Sequence, residues 1–182
     1  MSKLSGKTKS KIRADKRKKR IQKNEFYRKG LRDLIRKYDD PVLNEVCWKV
    51  QGKEELDFLK KMKAILSVTK DGIGLSASQI GITKRAFIMC PDLKNREFIC
   101  VINPEIKELS EEKVQSTEGC LSYPGVLTTV ERSKWIKVSF KDENMNEVEK
   151  TFDGLKSIIF LHEYDHLLGI CLVGDEWRSK NK

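Results

Sequence analysis

Histidine is nearly absent from this chain, with two residues in 182. Any chemistry that needs imidazole must use His162, His166 or both. Long apolar runs are missing too, and none approaches the roughly 20 residues of a membrane span. The basic N terminus is not followed by the roughly 7–15-residue apolar segment of a secretory signal, so none is expected. The five cysteines (Cys47, Cys90, Cys100, Cys120 and Cys171) are an odd number, widely spaced and without a CxxC pair. A disulfide framework is therefore not expected, and a reducing compartment is.

The charge is unevenly distributed. Lys and Arg total 37 against 27 Asp and Glu, a formal +10. Residues 1–32 hold 14 of the basic groups with only Asp15 and Glu25, a net of +12, so the other 150 residues carry 23 basic and 25 acidic groups, a net of −2. The pattern predicts a nearly neutral domain of ordinary single-domain length, residues 33–182, behind a cationic extension, residues 1–32. Residues 1–24 offer little apolar surface to offset ordering entropy and are expected to be disordered, or helical only when bound.

Glu25 to Tyr38 reads as a short helix that ends before Asp39-Asp40-Pro41. Lys53 to Val68 places Leu56, Leu59, Met62, Ile65 and Leu66 at helical spacing. Ala86 to Cys90, Phe98 to Asn103, Trp135 to Phe140 and a run near Val148 read as strands, with a turn at Asp142 to Asn146. Phe152, Leu155, Ile158, Ile159, His162 and His166 lie on one helical face. Short strands bracketed by helices predict an α+β domain.

Both histidines fall in His162-Glu163-Tyr164-Asp165-His166, an HExxH pattern. On a helix, positions i and i+4 share a face about 6 Å apart along the axis, so two imidazoles can ligate one ion. The alternative is a buried helix whose histidines are merely hydrogen-bonded. A catalytic site of this kind uses three protein ligands and an open position. The extended pattern HExxHxxGxxH would place a histidine where Leu172 stands, and the 16 residues after His166 leave little room for a glutamate on a second helix. The third ligand is thus expected upstream, as a cysteine or a carboxylate. Cys120 is the leading candidate, because the adjacent Gly119 allows close backbone approach. The other four cysteines read as small buried hydrophobes.

Three segments, Gly72-Ile-Gly-Leu-Ser-Ala-Ser-Gln79, Glu118-Gly-Cys-Leu-Ser122 and His162-Glu-Tyr-Asp-His166, resemble in order and spacing the signature motifs of peptide deformylases. Asp40-Pro41, Ile102-Asn103-Pro104 and His166-Leu-Leu-Gly169 extend the likeness over about residues 33–176. The resemblance implies short, mainly antiparallel strands around a central HExxH helix. It also implies removal of the formyl group from the N-terminal formyl-methionine of nascent polypeptides. By the same resemblance, Cys120, His162 and His166 are metal ligands and Glu163 is the general acid/base. Gln79 and the Leu121 N–H bind the formyl oxygen, Gly74 pairs with the substrate main chain, and Ile73, Ile158 and Ile159 form the methionine pocket. The implied cofactor is one divalent ion, Fe²⁺ in the cell, with Zn²⁺, Ni²⁺ or Co²⁺ able to occupy the site.

Ser76 and Ser78 depart from the family's usual alanine and proline, and the run from Ile170 to Trp177 departs from its usual sequence. Arg132 is a candidate partner for Glu118, the alternative being a surface arginine. HExxH by itself also allows a zinc endopeptidase, and the basic extension allows a nucleic-acid-binding protein on an inactive enzyme fold. The extension itself has three readings: a solvated tail, a contact with ribosomal RNA phosphates, or an organelle transit peptide. A cytoplasmic monomer without membrane association is expected, with organelle targeting by the extension as the alternative.

Overall fold

The computed structural model describes residues 6–92 and 94–173, with side chains from residue 14 onward in its first helix. That helix, α1 (Gly6–Arg32), runs through the segment expected to be disordered and ends before the predicted Tyr38. Its residues from Ala14 to Gly30 are all exposed, so little burial holds it. Lysine, arginine, glutamine and alanine favour helix locally, and Asp15 pairs with Lys19 one turn on at 3.3 Å. Among the described side chains only the last turn is anchored: Leu31 packs against the core, and the Arg32 guanidinium donates to Val68 O.

Asp40 then caps a short 3₁₀ turn, Pro41–Asn44, accepting from the Val42 N–H at 3.1 Å. The predicted helix at 53–68 divides into a 3₁₀ turn, Lys53–Leu56, and α2 (Phe58–Val68). Leu59, Met62, Ile65 and Leu66 form the buried face of α2, as their spacing predicts.

A five-stranded antiparallel sheet follows, in the order β1 (Gly74–Ser76), β2 (Ala86–Met89), β3 (Ile99–Leu109), β6 (Trp135–Lys141) and β7 (Glu147–Asp153). A separate hairpin pairs β4 (Lys113–Cys120) with β5 (Tyr123–Ser133). Helix α3 (Leu155–Leu167) carries the HExxH sequence. Phe152, expected on that helix, instead belongs to β7. Gly154 alone separates the two elements, and it takes a positive φ of 55°. The architecture is the expected α+β one. Among the described residues no helix is long and apolar enough to cross a membrane.

The sheet is covered on both faces, which is why β2 is buried along its whole length. Ala86 and Ile88 join the α2 side with Leu59, Met62, Ile65 and Leu75. Phe87 and Met89 turn to the other side with Ile136, Val138, Ile159 and Phe160. The Phe87 ring meets that of Phe160 edge-on at 5.1 Å. Each aromatic of this size contributes roughly 1.5–3 kcal/mol on full burial, so this contact seats α3 firmly on the sheet. At Asn103 the chain adopts a φ of 50° where β3 bends. The side chain compensates by accepting from the Val50 N–H at 2.9 Å and donating to Val50 O at 2.8 Å.

Candidate metal centre

Cys120 is the last residue of β4, and the two-residue turn Leu121-Ser122 leads into β5. Facing it is the inner side of α3, where His166 and Glu163 are buried and His162 is partly so. Cys120 Sγ lies 3.3 Å from His166 Nε2, and ligand atoms of Cys120, His162 and His166 all fall within 4.8 Å of one another. The two imidazole rings stand 5.3 Å apart at 74°, as i and i+4 positions on one helix dictate.

An ion-pair network braces this cluster from behind. His162 Nδ1–H donates to Glu118 Oε2 at 2.9 Å; a carboxylate only accepts, so the Nδ1 proton is fixed and Nε2 is left as the donor atom for an ion. Arg132 grips Glu118 through Nε and Nη2, both at 2.9 Å, and donates from Nη1 to Asp165 Oδ2 at 2.7 Å. Arg132 is therefore not a surface arginine: its side chain is 12% exposed and links β4, β5 and α3.

The electrostatics of the protein groups follow from this packing. Burial would raise Glu118, but hydrogen bonds from Arg132 and His162 outweigh it and hold the carboxyl at about 2. Burial would also raise the Cys120 thiol, yet the charge of His166 and hydrogen bonds from both imidazoles bring it down to about 5. His162 is disfavoured as a cation by burial but held up to about 9 by Cys120 and Glu118, and His166 is raised well above its usual value by Cys120. In the metal-free protein the thiol and the two imidazoles thus favour one another's charged forms, and a bound cation would take over that stabilisation of the thiolate. A thiolate with two imidazoles, one oriented by a carboxylate, is a donor set that fits a borderline divalent cation.

Glu163 lies buried beside this cluster, within reach of the charges of His162, His166 and Cys120. It is 4% exposed, its Oε2 has no hydrogen-bond partner among the described residues, and burial pushes its carboxyl up to about 7 against the pull of His162 and His166. Its other oxygen abuts Gly74, where any Cβ would collide with Glu163 Oε1. A side chain at 74 would therefore displace the Glu163 carboxyl. At Gly119 a Cβ would press on Leu127 Cδ2 of the neighbouring strand at 3.2 Å.

Gln79 sits in the 3₁₀ turn Ser78–Ile80 and is buried. Its Oε1 accepts from the Ser76 N–H at 2.9 Å, which turns Nε2 toward Ser122 Oγ at 3.1 Å and Cys120 Sγ at 3.4 Å. Ser76 and Ser78 are both fully buried and small, and Ser78 Oγ donates to Ser76 Oγ at 3.4 Å. Ile73 and Ile158 are half-buried, whereas Ile159 is buried in the core beside Phe160. The contacts of Asp165 and Lys37 were not anticipated from sequence. Asp165 stood inside the HExxH motif and was legible as a charge, but nothing marked Lys37. Gly174 to Trp177, part of the unusual C-terminal run, lie outside the described residues.

The profile of the polypeptide deformylase family matches residues 33–182. The chain belongs to the peptide deformylase family. Curated relatives include the peptide deformylase of a Thermotoga species, 39% identical over 142 residues that cover 76% of this chain and 84% of the relative. That of Pseudothermotoga lettingae is 43% identical over 141 residues, covering 76% and 80%. The crystal structure of peptide deformylase from Thermotoga maritima superimposes with a TM-score of 0.69 at 39% identity, covering 75% of this chain and 91% of that one. The Synechococcus elongatus enzyme, crystallised with actinonin, gives 0.70 at 35% identity, covering 76% and 75%. The chain is accordingly a metal-dependent hydrolase that removes the N-formyl group from the N-terminal methionine of nascent polypeptides. Cys120, His162 and His166 form the one three-residue cluster among the described residues that could hold the ion a deformylase needs.

Proposed function

We propose that deformylation by this chain is carried by Cys120, His162 and His166 as ligands of one divalent ion, with Glu163 as general acid and base. The observation behind this reading is the convergence of three ligand atoms beside a buried carboxyl with an unpartnered oxygen. When bound, the ion supplies Lewis acidity and lowers the pKa of water at the site toward ~7. Glu163 takes a proton as water attacks the formyl carbon, and passes it to the departing amine nitrogen as formate leaves. Gln79 Nε2–H and the Leu121 N–H donate to the formyl oxygen while charge builds there; losing one such donor costs about 3 kcal/mol in comparable sites.

β1 lies at the end of the five-stranded sheet. Its outer edge is where the substrate main chain pairs, at Gly74, by strand addition. The methionine side chain enters apolar ground formed by Ile73 and Ile158, with Ile159 as its floor. Fe²⁺ is the ion in the cell, and Zn²⁺, Ni²⁺ or Co²⁺ occupy the same donors in a preparation. Formyl-Met peptides and internal peptide bonds offered to one preparation test the reaction class. Formate release without internal cleavage is expected, and internal cleavage without formate would overturn the reading.

Residues 33–182 carry the chemistry in this reading, in a cytoplasmic monomer, and residues 1–32 carry a ribosomal RNA contact. The net +12 of the extension supports that contact, as does the helical spacing that puts Lys16, Lys19, Arg20 and Lys23 on one side of α1 with Tyr27. Deleting residues 2–28 leaves Leu31 and Arg32 at their anchor points. The truncated enzyme is expected to turn over small formylated peptides at the full-length rate but to lose salt-sensitive binding to ribosomes. Unchanged ribosome binding would refute the contact.

A further inference from the structure

The turn that follows Cys120 is held from outside its own hairpin. Cys120 pairs with Tyr123 across the end of the β4–β5 ladder, so Leu121 and Ser122 form the turn and have no ladder partners, and the register shift beside Cys120 leaves residues 124–126 of β5 unpaired as well. Ser122 Oγ is bound by Gln79 Nε2 at 3.1 Å. The Leu121 carbonyl is bound by the ammonium of Lys37, which donates to it at 3.0 Å across 84 residues of sequence. Lys37 is partly buried, and burial lowers its pKa against the opposing pull of the Cys120 and Asp33 charges. Its neighbour Arg36 donates its backbone N–H to Gln79 O at 2.8 Å. The dipeptide Arg36-Lys37 thus touches the backbone of both residues assigned to the formyl oxygen.

We propose that Lys37 is a positioning residue that locks the Leu121 peptide so that the Leu121 N–H points into the metal cavity. The inference rests on the formyl-oxygen role given above to Leu121. A carbonyl outside the ladder can rotate with its peptide plane. Rotation of the Leu121–Ser122 plane displaces the preceding Cys120–Leu121 plane, and with it the N–H that must meet the developing oxyanion. An ammonium suits the task because its hydrogen bond to a carbonyl is charge-assisted. Lys37 itself touches neither substrate nor ion in this account.

The test compares holoenzyme of the wild type, Lys37→Met and Lys37→Arg. Steady-state kinetics on a formyl-Met peptide are measured with metal content and amide hydrogen exchange at residues 121–123. Lys37→Met is expected to lower kcat about tenfold, less than the loss of a whole oxyanion donor. KM should stay within about twofold and metal content should be unchanged, because the interaction matters in the transition state. Exchange at Leu121 and Ser122 should accelerate, and Lys37→Arg, which keeps a charged donor, should restore both kcat and protection. Unchanged kcat in Lys37→Met overturns the proposal, and the exchange data then say which part failed. Faster exchange removes Leu121 from the reaction, whereas unchanged exchange removes Lys37 from the turn. A fall in kcat without any change in exchange also overturns positioning as the cause.

Discussion

Replacing Glu163 with Gln should leave the metal bound and cut formate release by about 10²–10⁴-fold, the range expected for loss of a positioned acid–base group. The substitution is close to isosteric, so Gly74 still accommodates the side chain and the core around α3 is undisturbed. What disappears is the ability to accept a proton at Oε2, the oxygen that has no hydrogen-bond partner among the described residues. The ligand atoms of Cys120, His162 and His166 remain where they were. Metal content and single-turnover formate release check the result together. A Gln variant that deformylates within about twofold of the wild type would show that another group moves the proton.

Arg132→Met is the second substitution with a large expected effect, this time on stability and metal affinity. Arg132 satisfies three carboxylate oxygens, and Glu118 is only 6% exposed. Breaking a buried pair by removing one partner costs about 3–5 kcal/mol, because a desolvated charge is left behind. Glu118 also orients His162, so metal affinity should fall by about 10–100-fold, as for other supporting carboxylates. The pH dependence has a definite sign. Glu118 is held at about 2 in the fold against an ordinary 4.5, so its contribution is fully present above about 4.5 and is lost as pH falls toward 2. That contribution is about 3 kcal/mol for metal-free protein. Denaturant midpoints of the metal-free proteins near pH 6 and near pH 3 should converge at the lower value. Parallel pH profiles for wild type and variant would contradict this role.

The HExxH group was legible because its logic is a property of the helix itself. Two histidines four residues apart must share a face, whatever surrounds them. The sheet strands β2, β3 and β6 were legible for a similar reason, since Phe87, Val101, Ile136 and Val138 supply apolar side chains where the core requires them. The β4–β5 hairpin was not, because its inward positions are Ser116, Glu118 and Cys120. A strand that buries polar side chains to build a site lacks the apolar alternation by which strands are read. Phe152 misled for the opposite reason: it continues the helical spacing of Leu155 and Ile159 but sits beyond Gly154, on a strand.

The cationic extension shows where composition and local propensity diverge. Its charge and lack of apolar surface predict disorder alone, while its residues favour helix, and among the described side chains α1 is held at Leu31 and Arg32. Lys37 lay further from reach. A single lysine in a lysine-rich chain carries no local signal, and its contact with Leu121 exists only because the fold brings the start of the domain against the end of β4.

Deformylation by this chain should require one ion held by Cys120, His162 and His166. That requirement is tested most directly by measuring metal content and formate release on the same anaerobically purified sample. Exclusion of oxygen matters because Fe²⁺ beside a thiolate is readily oxidised. The account predicts one divalent ion per chain, formate release from a formyl-Met peptide in proportion to that ion, and loss of both on chelation. Formate release at an undiminished rate from metal-free protein would contradict it.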